Sequence, residues 1–386
     1  MRFGLFLSPF HSARANTTRA LHRDLDLIEH LDRLGFDEVV FGEHHSGGME
    51  LIPAPDLFIA AAARRTERIV LGSGVVSLAY HNPFLTAERY ATLDHLTNGR
   101  LLMGVGPGAL PQDALMMGIH PNDQRRRMEE CLDAIMQLLR TDDPVTMKTD
   151  WFELNEAILQ FKPMTEFEIA TVCVVSPSGP ALAGKHNLSM ISTAATTEGG
   201  FAALANHMSI AEEAADRYGQ PKPKRENWRL VGPMHIAETR EQAEKDVGYG
   251  MDEMVAQWLR ITEVWAAALN KPSRYQEGKT SIQMVQESGA GIIGTPDDAV
   301  QQILRLEEQT GGFGTYMLMG HEWANPEATN RSFELFAEYV IPEVNRQSKR
   351  KIDSQNGFFE FLDEGRELGA NAVRQAIANY DSRKSF

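Results

Sequence analysis

Cysteine is scarce in this chain: Cys131 and Cys173 are the only two in 386 residues. Neither stands at a metal-ligand spacing, and two thiols cannot frame a disulfide scaffold of this size. Their apolar settings predict buried, reduced thiols. No uninterrupted apolar run reaches the roughly 18 residues of a membrane span. The apolar start, residues 1–9, is too short for a secretion signal, and no small-residue cleavage site follows it. Cations are also few, since 38 Lys and Arg face 53 Asp and Glu, a net charge of −15. An acidic exterior repels phosphate backbones and anionic headgroups, so neither nucleic acid nor membrane is an expected partner. A dinucleotide fingerprint and an HExxH metal motif are both missing. These absences point to a cytoplasmic enzyme acting on a small ligand held in a local pocket.

Hydrophobic residues make up 42% of the chain and charged residues 24%. Such a chain can bury a sizeable core without disulfides or metals. Short apolar runs predict strands at 3–7, 38–41, 69–76, 101–105, 169–175, 188–192, 228–236 and 315–319, each followed by a segment able to form a helix. The clear helices are 18–34, 83–96, 122–139 and 296–309. The last opens on Thr295-Pro296-Asp297-Asp298: an N-cap, a proline at the first helical position and acids in the first turn. Eight β–α alternations predict a parallel sheet, and the count fits a closed (β/α)8 TIM barrel better than an open doubly wound sheet. We read residues 1–345 as one barrel domain. Insertions are expected at 141–168, with a hairpin at 145–161, and at 250–292, a polar, weakly patterned stretch expected to act as a mobile lid. Residues 346–386 read as a charged, partly helical tail.

Barrel chemistry sits at the carboxyl ends of the strands. There the chain places Ser8 to His11, Glu43-His44-His45, Ser77 to His81, Gly106-Pro107-Gly108, Ser176 to Gly179 and His321-Glu322-Trp323. Ser176-Pro177-Ser178-Gly179-Pro180 runs from a buried strand into a helix, where small residues and free N–H groups suit an anion. Arg125-Arg126-Arg127 opens another helix and offers a guanidinium fork to phosphate. Each feature alone also fits an ordinary turn or a solvated basic run; together they suggest a bound phosphate. Glu43-His44-His45 admits metal binding, acid–base work near neutral pH, or structural hydrogen bonding. Neighbouring residues on a strand point to opposite faces, which disfavours both histidines on one ion.

These landmarks, in this order, resemble the bacterial luciferase-like flavin monooxygenases over nearly all of residues 1–345. The carriers are Met1 to Phe6, Gly42-Glu43-His44-His45, the stretch 69–106 from Ile-Val-Leu-Gly-Ser-Gly-Val-Val to Leu-Leu-Met-Gly-Val-Gly, Gly294-Thr295-Pro296 and Gly311-Gly312-Phe313-Gly314. The closing His321-Glu322-Trp323-Ala324-Asn325-Pro326 looks most like the limonene and diketocamphane monooxygenase branch. The resemblance implies FMN at the strand ends. It implies a phosphate held by Arg125 and by Ser176, Ser178 and Gly179, and a non-proline cis peptide at Gly74-Val75 under the flavin ring. It also implies His44 in acid–base work, and a substrate pocket that we place at Leu78, His321 and Trp323. Gly106 and Pro107 stand where the luciferases carry cysteine and arginine, which argues against light emission. The implied reaction takes reduced FMN from a separate NAD(P)H flavin reductase and, through a peroxyflavin, puts one oxygen atom of O2 into a terpene, cyclic ketone or aldehyde. A homodimer through helices 53–65 and 83–96 is implied as well. The rival readings are a dehydrogenase using the deazaflavin coenzyme F420, a metal-dependent hydrolase with His44, His45, His81 and His321 as ligands, and a flavin-binding protein without catalysis.

Overall fold

A computed structural model describes residues 1–268 and 278–384. Eight short, apolar parallel strands close into the expected (β/α)8 barrel. They are β1 (Arg2–Leu7), β2 (Glu38–Phe41), β3 (Val70–Ser77), β4 (Leu101–Gly106), β7 (Glu168–Cys173), β8 (Ser189–Ser192), β9 (Trp228–Gly232) and β12 (Thr315–Met319), with β12 pairing back onto β1. The 141–168 insertion carries an antiparallel hairpin of β5 (Val145–Lys148) and β6 (Glu153–Ala157). Strand seven is shorter than expected. The predicted 228–236 run breaks at Pro233, which has no N–H to give a ladder. Beyond it β10 (Met234–Ile236) leaves the barrel and pairs with β11 (Ile292–Gly294).

The helices are α1 (Thr17–Leu34), α2 (Pro55–Ala63), α3 (Pro83–Thr97), α4 (Pro111–Met116), α5 (Gln124–Arg140), α6 (Ser178–His186), α7 (Glu198–Tyr218), α8 (Arg240–Val247), α9 (Met251–Ala268), α10 (Ser281–Ser288), α11 (Pro296–Thr310) and α12 (Pro326–Leu335). The start of α11 forms as its sequence requires: the Asp298 carboxylate accepts from the Thr295 N–H and hydroxyl at 2.9 and 3.0 Å. The 250–292 stretch is patterned after all. Apolar residues at 251, 254, 255 and 258 fall at helical spacing, and Met251, Met254 and Val255 are buried. The part of the expected lid at 269–277 lies outside the described residues.

Inside the barrel, Phe6, Val40, Leu102, Ala170, Ile191, Val231 and Met317 pack together, one from each strand except β3. At that level β3 carries Gly74, where an added Cβ would meet Val40 Cγ2 at 2.4 Å. The Gly74–Val75 peptide is cis, as the resemblance implied, and the pairing of β3 with β4 shifts register between Ser73 and Val76. At the amino-terminal end, Arg229 is fully buried. It reaches Glu38 at 2.8 Å and Glu168 at 2.7 Å.

The chain divides into two units, Met1–Val340 and Ile341–Phe386. The second consists of α13 (Ile341–Val344), α14 (Lys349–Glu360) and α15 (Leu362–Lys384), with Phe358, Phe359, Phe361 and Leu368 exposed. Among the described residues no helix is long and apolar enough to cross a membrane. Both cysteines are free and buried.

Candidate active site

The strand ends converge on a single cavity of about 590 Å³ in the barrel unit. His44, Gly74, Val75, Arg125, Ser176, Ser178, Gly179 and Trp323 all line it, so eight of the ten expected site residues share one wall system.

One half is polar. Ser176 and Ser178 sit in the turn from β7 into α6, with their hydroxyl oxygens 2.8 Å apart. Pro177 supplies no side-chain cap, so the first N–H groups of α6 stay open towards the cavity wall. Gly179 is needed for packing, since a Cβ there would meet the Val172 carbonyl oxygen at 2.3 Å. The three arginines of α5 diverge. Arg126 is taken by Asp150 at 2.7 Å and Glu130 at 3.1 Å, and Arg127 lies over the Trp151 ring, 5.1 Å from its centre. Arg125 lines the cavity and makes no ion pair among the described residues. Thr193, Thr196 and Thr197, from the turn between β8 and α7, complete this end. Sequence reading missed these threonines, although Ser-Thr-Ala-Ala-Thr-Thr at 192–197 has the same small, hydroxylated, strand-to-helix character as 176–179.

The wall richest in titratable groups is the end of β2. Glu43 is buried and accepts from Ser77 N–H at 2.8 Å, with His45 Nε2 and His81 Nε2 each at 2.9 Å. Burial would raise its carboxyl, but these hydrogen bonds outweigh it and hold the group below the usual range. The same contact raises His45. His44 turns the other way, its Nε2 3.0 Å from Glu50 Oε2 and its Nδ1 3.6 Å from Asp113 Oδ2. Burial would lower this imidazole, yet the Asp113 and Glu50 contacts win and push it up to about 10, so it is an imidazolium at neutral pH. His321 is elsewhere, bonded to the Met234 carbonyl oxygen at 3.0 Å. The four histidines of the metal reading therefore do not converge on one point.

The other half is apolar, walled by Phe10, Met254, Val255, Val285, Met319 and Trp323. Here two expectations are corrected. Leu78 is buried in a short turn after β3 and His321 lies behind Trp323; neither lines the cavity. Burial lowers His321 to about 3, so it is neutral. It stacks on the Trp323 ring at 4.0 Å and 13°, while Trp323 Nε1 donates to Met254 Sδ at 2.7 Å. His321 thus backs the wall that Trp323 forms. Gly106 also has a local reason, because a Cβ there would meet Val75 Cγ2 at 2.5 Å.

A closed barrel with a cavity at its carboxyl end that joins an anion-suited turn, an imidazolium and an apolar chamber has the form of a barrel enzyme's site. Residues 1–312 match the luciferase-like monooxygenase family, and the chain belongs to that family of enzymes. It is 48% identical over 384 residues to limonene 1,2-monooxygenase of Rhodococcus erythropolis, covering 100% of this chain and 97% of that protein. Over 350 residues it is 41% identical to 4-hydroxyprotoasukamycin monooxygenase of Streptomyces nodosus subsp. asukaensis, covering 89% and 92%. In fold it is similar to the oxygenating constituent of 3,6-diketocamphane monooxygenase from Pseudomonas putida, a type II Baeyer-Villiger monooxygenase solved in complex with FMN. That likeness has a TM-score of 0.76 at 24% identity, covering 89% of this chain and 98% of the other. An F420-dependent secondary alcohol dehydrogenase shares the fold less closely, with a TM-score of 0.67 at 20% identity and coverage of 89% and 98%.

Proposed function

We propose that this chain is the oxygenase of a two-component system, taking reduced FMN from a separate NAD(P)H flavin reductase and inserting one atom of O2 into a small apolar molecule such as a terpene, cyclic ketone or aldehyde. The observation that carries this reading is that Arg125, without an ion pair, shares one cavity with the Ser176 and Ser178 hydroxyls, the uncapped start of α6 and His44. Those donors fit a phosphate monoester. Gly74 and Val75 would lie under the ring, and the volume lies within the range of small-ligand sites. Bound and reduced, FMN would supply the electrons that activate O2. The protein's own part is to exclude water with the Trp323, Met254 and Val255 wall and to keep His44 protonated beside it. That proton is available when the second oxygen atom leaves as water.

The test is oxygen uptake by the purified protein with reduced FMN, against a panel of terpenes, cyclic ketones and long-chain aldehydes. FMN titration accompanies it. Arg125→Ala is expected to weaken FMN binding by roughly tenfold or more, the worth of one charge-assisted hydrogen bond. A protein that ignores FMN in both redox states but takes up the deazaflavin coenzyme would give the dehydrogenase reading. We place the enzyme in the cytoplasm as a homodimer, with α2 and α3 shared between subunits. Leu57 on α2 and Leu85 on α3 are exposed, which supports that face. Sedimentation should give twice the chain mass, and a monomer would refute it.

A further inference from the structure

Sequence reading did not single out Glu50, yet its carboxylate stands at the cavity wall between two strand ends. The segment 46–52 leaves β2 and doubles back. Gly47 and Gly48 both hold positive φ, +84° and +69°, which side chains rarely tolerate. The return is pinned by two backbone bonds: His44 N–H to the Ile52 carbonyl oxygen and His11 N–H to that of Met49, both at 3.2 Å. Met49 and Ile52 are buried, so the loop is anchored on both sides of Glu50. One carboxylate oxygen then receives two donors. Ser8 Oγ donates to Glu50 Oε2, and His44 Nε2 lies 3.0 Å from the same atom. Ser8 has room to reach it because its neighbour just past the end of β2 is glycine: a Cβ on Gly42 would meet Ser8 Oγ at 2.8 Å. Asp113 also faces the ring, but at 3.6 Å, and it is engaged by the His45 N–H at 3.2 Å.

We propose that Glu50 is a positioning residue for the reaction, fixing the ring of His44 at the cavity wall by accepting a hydrogen bond from its Nε2–H on the oxygen that Ser8 also holds. This rests on the reading that His44 manages the proton there. The charged groups around the ring are Glu50 from the returning loop, Asp113 from α4, and Glu43 and His45 beside it on the β2 end. The Glu50 contact, 3.0 Å at Nε2, is shorter than the Asp113 contact, 3.6 Å at Nδ1. It holds the imidazole charged and aligned, and Ser8 keeps the carboxylate from swinging away.

The experiment is a proton NMR titration of the histidine ring signals in the full-length protein, with His44 identified by the signal lost in His44→Gln. In Glu50→Gln the His44 midpoint is expected to fall by about one to three pH units, the usual effect of removing an adjacent opposite charge. The alkaline limb of turnover with reduced FMN should fall with it, and Glu50→Asp should restore part of both. A folded Glu50→Gln protein with an unchanged His44 midpoint would overturn the proposal. Should the glutamine variant melt, Glu50→Asp alone decides, since a midpoint equal to that of the parent after the carboxylate is drawn back by one methylene would refute the contact. If His44→Ala retains full turnover while the midpoint still moves, the role of His44 fails and the positioning by Glu50 stands.

Discussion

His44→Ala is expected to lower turnover with reduced FMN by roughly 10²- to 10⁴-fold, the span of a lost general acid or base. FMN affinity should change little, because the residues proposed to hold the phosphate, Arg125, Ser176 and Ser178, come from α5 and the turn into α6 rather than from the end of β2 that carries His44. The split between turnover and binding distinguishes a proton-handling residue from one that merely shapes the pocket. Alanine also leaves Glu50 and Asp113 without any side chain to bond, so the comparison needs His44→Gln, which keeps a hydrogen-bonding side chain but cannot carry charge. The two variants should share the turnover defect. The sign of the pH dependence follows from the geometry. Two carboxylates hold the imidazole up at about 10, so the charged form persists through neutral pH and is lost as pH rises through that value. Turnover limited by this proton should therefore fall on the alkaline side. Stopped-flow or oxygen-electrode rates from pH 6 to 10 would show it, and a flat profile with full activity in either variant would remove His44 from the mechanism.

The barrel was legible because its strands are short apolar runs with strong punctuation between them, and counting eight required no tertiary knowledge. The site was legible where chemistry follows directly from a strand end, as at His44, Ser176 and Ser178, and where a basic run opens a helix, as at Arg125. Glu50 was not, because a loop that turns back through two glycines brings it home, and its meeting with Ser8 crosses 42 positions. Leu78 and His321 were misassigned for a related reason. Both follow strand ends, but after the last paired residue the period of two no longer tells which face a side chain takes. Leu78 enters a short turn and His321 pairs with a backbone carbonyl. The apolar wall on α9 was present in the sequence as 251, 254, 255 and 258. Acidic residues between them masked it, although the 3.6 period needs only one face to be apolar.

The largest stability effect is expected at the opposite end of the barrel. Arg229 bridges Glu38, buried on β2, and Glu168 on β7, with five hydrogen bonds between 2.7 and 3.1 Å. Burial would lower the guanidinium, but the two carboxylates more than offset that and raise it. Glu168 is likewise held below the usual carboxylate range: burial would raise it, and Arg229 outweighs the burial. Arg229→Met fills the same channel yet strands both acids, and breaking such a buried cluster costs about 3–5 kcal/mol. The deficit should depend on pH in a definite direction. In the parent, the depressed Glu168 contributes stability above the unfolded carboxylate value and loses it as pH falls through the folded one. That loss narrows the gap between the proteins on acidification. Urea midpoints at pH 7 and near pH 5 would measure this, and a single-variant loss under about 1 kcal/mol at pH 7 would contradict the buried-cluster account. Adding Glu38→Met to Arg229→Met should recover part of the loss, because the worst-placed charge is then gone. Turnover per bound FMN in the folded variant should match the parent, since Arg229 lies at the amino-terminal face and the cavity at the carboxyl ends of the same strands.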